Sequence, residues 1–147
     1  MPLTHVVSDF QHSKAFCEML GSQAYWPVPG TTTEEVANAV GMPKYKVEGA
    51  LMALQNAEQP MVIDLLERKS PRDDSPPCPN LYRPGLARIA LSNSDIDADF
   101  DFLVANSVEV VSRPVNVHTS ENSYARFFCF KDPDGTFLEL VQVITTE

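Results

Sequence analysis

The order of elements in this chain repeats, and the repeat limits the fold more than any other feature. Val7-Ser8-Asp9 has a counterpart in Asn93-Ser94-Asp95, and the run VIDLLE around Asp64 has one in FLELVQ around Glu139. Asp9 and Asp95 are helix N-cap candidates, and apolar residues at helical spacing follow the first of them (Phe16, Met19, Leu20). The first half reads as a strand over 2–8, a helix from Phe10 to Leu20, a strand over 23–28 and a hairpin of 45–54 with 60–67. The second reads as a strand from Leu86 to Ser92, a helix from Ile96 to Asn106, a strand from Val108 to Val117 and a closing hairpin. Asp9 and Asp64 are 55 positions apart, Asp95 and Glu139 only 44. The stretch TTTEEVANAVGMPKY accounts for the difference: Thr32 with Glu35 is a capping-box pair that opens a short helix to about Val40, which Gly41 and Pro43 end. Between the halves, 70–84 holds Pro71, Pro76, Pro77, Pro79 and Pro84, too many for helix or ladder. The expected organisation is a first module over 1–69, a linker over 70–84 and a second module over 85–147.

The closing hairpin is the most informative segment. Phe127 to Phe130 and Phe137 to Ile144 have strand composition, and Asp132-Pro133-Asp134-Gly135 between them is turn chemistry. Glu139 interrupts the second, apolar strand. A carboxylate there is costly unless it is paired, holds a cation or faces a cavity; the alternative is the solvated face of an edge strand.

An aromatic strand, DPDG, then a short strand with a central glutamate resembles the last hairpin of the vicinal-oxygen-chelate superfamily (glyoxalase I, bleomycin-resistance proteins, extradiol dioxygenases). The resemblance implies an α+β fold of two βαβββ modules, forming a curved mixed sheet around a cavity. It also implies a metal held by four positions, on the first and last strand of each module. Counting back seven residues from Asp9 and Asp95 gives Pro2 and Arg88, so the set reads Pro2, Asp64, Arg88 and Glu139. Both imidazoles are missing, and arginine has no lone pair to give a metal. The reading that follows is no metal and no cofactor, with Arg88 paired to Glu139, Asp64 or both. Two alternatives stay open: Arg88 points to solvent, or His5 enters the cavity and a partial site of His5, Asp64 and Glu139 survives.

Parity places Phe137 and Val141 on the face of Glu139, and the resemblance to glyoxalase I adds Cys129, Phe127 and Ala125. Thr4, Val6 and Ala90 share the ligand face of the other strands. His118 lies in a polar loop, VHTSENSY, that borders the cavity mouth. The expected site therefore has Glu139, Arg88 and Asp64 as catalytic residues. Phe127, Cys129, Phe137, Val6 and His118 would bind substrate, Cys129 as an inert thiol. Trp26 and Tyr25 fit the core, a dimer interface or a ligand platform.

A formal charge of -9 with no basic patch argues against nucleic acid and anionic membranes as partners. No apolar run is long enough to span a bilayer, no secretory leader is legible, and three cysteines have no zinc spacing, so a cytoplasmic protein with free thiols is expected. The partner is a small molecule, with a second copy of the chain as a homodimer partner. Two functions remain: a metal-independent enzyme of lyase or isomerase type using carboxylate acid–base chemistry, or a non-catalytic drug- or metabolite-binding protein of bleomycin-resistance type.

Overall fold

The computed structural model describes residues 2–54, 61–120 and 122–146, with nothing said of the side chains of Pro2 and Thr119. The chain divides into two compact units, residues 1–75 and 76–147, the division falling inside the proline-rich stretch. Among the described residues the elements follow in order: β1 Pro2–Val7, α1 Phe10–Met19, β2 Ser22–Pro27, α2 Glu34–Ala39, β3 Lys46–Leu54 and β4 Val62–Ser70 in the first unit, then β5 Ile89–Ser92, α3 Ile96–Ala105, β6 Val115–Ser120, β7 Ser123–Lys131 and β8 Phe137–Thr145 in the second. The first unit is a four-stranded sheet of order β1-β4-β3-β2, and the second repeats it as β5-β8-β7-β6. In each, the first strand runs parallel to the last and the remaining neighbours are antiparallel. The fold is α+β: two mixed sheets that follow the repeat, with α1 and α3 as equivalent helices and α2 as the first unit's addition.

The repeat holds to the residue. Thr4 pairs with Asp64 in the first unit and Ala90 with Glu139 in the second. Asp9 accepts a hydrogen bond from the His12 N–H and Asp95 from the Ala98 N–H, so each caps its helix as expected. Three residues beyond Asp64 and Glu139, a side chain ties the helix start to the last strand. Glu67 accepts from the Phe10 N–H at 2.9 Å, and Gln142 accepts from the Ile96 N–H at 3.4 Å while donating to the Ser94 carbonyl at 2.6 Å. Orphan N–H groups at a helix start need such acceptors when they are buried.

One face of each sheet carries the helix. In the first unit Val7, Phe10, Ala50, Met52 and Leu65 form that core. In the second, Phe100 of α3 packs edge-on against Phe128 with centroids 5.2 Å apart, and Phe130, Leu138 and Leu140 lie buried on the same side. The DPDG turn sets the β7–β8 register: Asp132 accepts from the Asp134 and Thr136 N–H groups, its carbonyl accepts from Gly135, and Gly135 takes φ +93°.

Several boundaries differ from the sequence pattern. The cap of α2 is Thr33, which accepts from Val36, because Thr32 is engaged with the backbone of Tyr45. Strand β5 starts at Ile89 rather than Leu86, since its ladder begins only where β8 supplies Leu138 as partner. The third strand of the second unit is Val115–Ser120, not Val108–Val117. Val110 forms only an isolated bridge to Phe130, and Pro114, which has no N–H, separates it from the regular ladder. VHTSENSY is mostly strand rather than loop, as β6 runs to Ser120 and β7 starts at Ser123. Glu121 in that run, and Pro60 at the expected start of the fourth strand, lie outside the described residues.

Glu67 also pairs with Lys69 at 2.8 Å and Arg72 at 2.9 Å, and Arg72 donates to the Ser8 carbonyl. Burial pushes its carboxyl pKa up, but hydrogen bonds from Lys69, the Phe10 N–H and Arg72 outweigh that and leave it below the ordinary 4.5. A depressed folded-state value stabilises the fold above the unfolded pKa, and the stability is lost as pH falls through the folded one. Glu67→Ala is expected to cost about 2 kcal/mol in urea unfolding at pH 7, and Glu67→Gln, which keeps an acceptor as Gln142 does, about half as much. Wild-type stability should decline as pH is lowered below 4.5, and less steeply in Glu67→Gln.

Candidate functional site

The face of the second sheet opposite α3 holds one buried carboxylate. Glu139 is 7% exposed, and the register puts it beside Ala90 of β5 and Cys129 of β7. Phe137 and Val141, two positions either side, share the face, as do Phe127 and Ala125 across the hairpin. Cys129 and Phe137 are each buried at 8% exposure.

Arg88 immediately precedes β5 and reaches back over this face. Its Nε lies 2.6 Å from Glu139 Oε2 as an ion pair, with the guanidine side chain 43% exposed. The Cys129 thiol donates to the same oxygen at 3.8 Å. Burial first, then the negative charge of Glu139, pushes the Cys129 pKa up, against a smaller pull downward from Arg88. Cys129 therefore stays a protonated thiol that donates, not a nucleophile. Lys131, which sequence reasoning passed over, is also on this face: it is opposite Phe137, its Nζ lies 5.5 Å from the Phe137 ring centroid, and it pairs with Glu109 at 2.6 Å. The hairpin register that brings Cys129 to Glu139 was the signal that could have found it.

His118 is not on this face. It pairs with Tyr124, an even-numbered position of β7 like Phe128 and Phe130, so it belongs to the side that carries α3. It is exposed there with its ring 5.9 Å from that of Tyr124. His118, expected at the cavity mouth, thus lies on the sheet face away from Glu139.

Asp64 and Val6 belong to the first unit. Asp64 is half-buried and accepts from the Thr4 hydroxyl at 3.3 Å, on the face opposite the helix. Val6 shares that face and is 53% exposed. Trp26 stands in the same cross-strand row through Leu51 and is 62% exposed, which excludes it and the 54%-exposed Tyr25 from the core. His5 pairs with Leu65, one step from Asp64, and so takes the helix side of the sheet. The partial set of His5 with Asp64 is not assembled, because successive residues of a strand face opposite ways.

The metal that the family resemblance implies does not fit these residues. The carboxylate oxygen at Glu139 is engaged by Arg88, whose guanidinium offers no lone pair, and by a thiol held protonated. Among the described residues no three His, Cys, Asp or Glu side chains are grouped to hold an ion.

This geometry defines a polar pair set in an apolar sheet face on a duplicated βαβββ scaffold, and comparison with known proteins identifies its class. The chain belongs to the Glyoxalase/Bleomycin resistance protein/Dioxygenase superfamily, whose family model matches residues 2–140. Among solved structures it is similar to a glyoxalase family protein from Bacillus cereus, with a TM-score of 0.77 and 21% identity over 97% of this chain and 92% of that one. A superfamily member from Sphaerobacter thermophilus matches with a TM-score of 0.64 and 20% identity over 96% and 94%. The fosfomycin resistance protein FosX of Listeria monocytogenes matches with a TM-score of 0.59 and 16% identity over 97% and 90%. No curated protein matches the sequence. No helix among the described residues is long and apolar enough to cross a membrane.

The thiol gives a test of the local field. With iodoacetamide at pH 8, the partly exposed Cys17 and Cys78 should react before the buried Cys129. Glu139→Gln removes the negative charge that raises the Cys129 pKa, so its labelling, followed by mass spectrometry, should quicken about threefold.

Proposed function

We propose that the protein is a small-molecule enzyme of lyase or isomerase type in which Glu139 and Arg88 supply acid–base and oxyanion chemistry without a metal. The observation that carries this reading is the ion pair of the buried Glu139 with Arg88, at the position where the resemblance implies a metal ligand. The substrate would bear a C–H bond next to a carbonyl. Glu139 takes the proton, the C–H electron pair moves toward the carbonyl oxygen, and Arg88 faces the resulting oxyanion. A guanidinium beside a carboxylate ordinarily weakens it as a base. Here the negative charge leaves Glu139 as it appears on the substrate oxygen, and Arg88 stays beside it throughout. The proton then returns to a neighbouring carbon in an isomerase, or a leaving group departs in a lyase. Cys129 holds the carboxylate in place.

A second reading rests on the same pair. Arg88 and Cys129 together occupy one oxygen of Glu139, which suits a carboxylate that fixes an arginine for ligand binding without turnover. Proton exchange separates the two. On incubating 2-oxo acids and ketones in deuterated water, the enzyme reading expects protein-dependent exchange at the adjacent carbon. Glu139→Gln should abolish that exchange yet keep ligand binding, and Arg88→Ala should lower it at least a hundredfold. Full activity in Glu139→Gln would remove Glu139 as the base.

We further propose a cytoplasmic homodimer, since each sheet leaves an edge strand on either side and the β2 edge of the first unit exposes Tyr25 and Trp26. Light scattering at micromolar concentration should give twice the 16.3 kDa chain mass, and the chain mass itself would overturn this.

A further inference from the structure

The face that carries Glu139 is polar at one end and apolar at the other. Arg88 and Ala90 stand at the β5 edge, and the sheet continues through β8 and β7 to β6. Past Cys129 the register places Phe127 between Val141 and Val115, then Ala125 between Val143 and Val117. None of these six carries a charge or a hydrogen-bonding side chain. Val115, Val117 and Val143 are 43%, 46% and 68% exposed. A single exposed valine is ordinary, but three adjoining in register around an alanine and a phenylalanine form a continuous apolar surface. The charged groups of the face gather away from it: Arg88 with Glu139, and Lys131 with Glu109.

The polar end offers donors. The Arg88 Nε is committed to Glu139, and the side chain is 43% exposed, so its guanidinium also faces outward from the pair. A planar pair of terminal N–H groups matches a carboxylate or keto-acid oxygen pair. A cationic head fits worse, because it would have to displace the guanidinium from Glu139 to find a counter-charge.

Resting on the proposed role of Arg88 and Glu139, we infer that the ligand class is an amphipathic acid. Its compact oxygen-bearing head sits on the terminal nitrogens of Arg88, and its apolar body lies along Phe127 toward Val117 and Val143. From β5 to β6 the strands span about 14 Å at ordinary spacing, room for a body of several carbons. Placing apolar carbons over these valines removes both surfaces from water, so affinity grows with chain length.

The test is calorimetric titration of the full chain with sodium acetate, sodium octanoate and octylamine, the last two below micelle concentration. Octanoate should bind at least tenfold tighter than acetate and at least tenfold tighter than octylamine. Val117→Asp, an exposed position remote from the ion pair, should weaken octanoate at least fivefold and leave the wild-type light-scattering mass unchanged. Arg88→Gln should remove the preference for the acid over the amine while keeping the dependence on chain length. Should Arg88→Gln not fold, Arg88→Lys, which keeps a charge without the paired donors, should reduce the preference. Equal binding of octanoate and octylamine, or of octanoate and acetate, overturns the inference. So does a Val117→Asp protein that binds octanoate normally but changes mass, which would assign the apolar surface to a second copy. Octanoate binding without any catalysed proton exchange would remove the enzyme reading and leave this one standing. Turnover confined to short, body-less substrates would do the reverse.

Discussion

A carboxylate placed mid-strand in an apolar face must be neutralised where it stands, and the second unit is arranged around how that is done. At 7% exposure Glu139 cannot rely on water, and the cost of an isolated charge there is several kcal/mol. Arg88 meets it from a position two residues before Ala90, the residue that lies alongside Glu139 in the parallel ladder. The pairing therefore depends on the β5–β8 register, which the Asp95 cap and the Gln142 clasp hold at the helix that follows. On the other side the DPDG turn fixes β7 so that the thiol of Cys129 arrives at the same oxygen. A slip of one residue in β8 would send Glu139 to the α3 side, against Phe100 and Phe128, and turn Leu140 out to the other face.

The two units apply one plan to different side chains. Position for position, Thr4 and Asp64 correspond to Ala90 and Glu139. In the first unit a hydroxyl donates to the carboxylate; in the second a methyl group stands there and an arginine comes in from the strand end. The clasp at the helix start shows the same substitution of means. Glu67 does it as an anion and must be surrounded by Lys69 and Arg72, whereas Gln142 does it as a neutral amide and needs no counter-charge. What the duplication preserves is geometry, and the chemistry at each equivalent position is free to change.

That division explains what could be read from residues alone. The repeat was legible because caps and central carboxylates recur at fixed places, and parity along β8 and β7 gave the face of Glu139 with Cys129, Phe127 and Phe137. Interruptions were harder. Nothing local announces that Val108 to Val111 makes only a single bridge before Pro114, or that Thr33 rather than Thr32 caps α2, because both follow from backbone partners remote in sequence. The side taken by His118 was illegible for a related reason: a polar run read as a loop has no parity, and only its pairing with Tyr124 in the β6–β7 ladder gives it one. Lys131 was overlooked since it reads as a solvated residue before a turn, although its partner Phe137 brings it onto the face of Glu139.

An ion pair and a metal ligand set also act differently on a bound oxygen. A divalent ion polarises it with a concentrated charge and needs several donors to stay in place. A guanidinium spreads one charge over a plane and needs only the acceptor that orients it, which here is Glu139. In the proposed mechanism, stabilisation of an oxyanion by Arg88 is tied to the protonation of its own counter-ion. In that mechanism Arg88 is shared with Glu139 before the proton transfer, and after it the whole of the guanidinium's field falls on the ligand. On that proposal, proton uptake by the carboxylate and the grip on the developing oxyanion are coupled within one pair of side chains, so replacing either residue would change the work of the other.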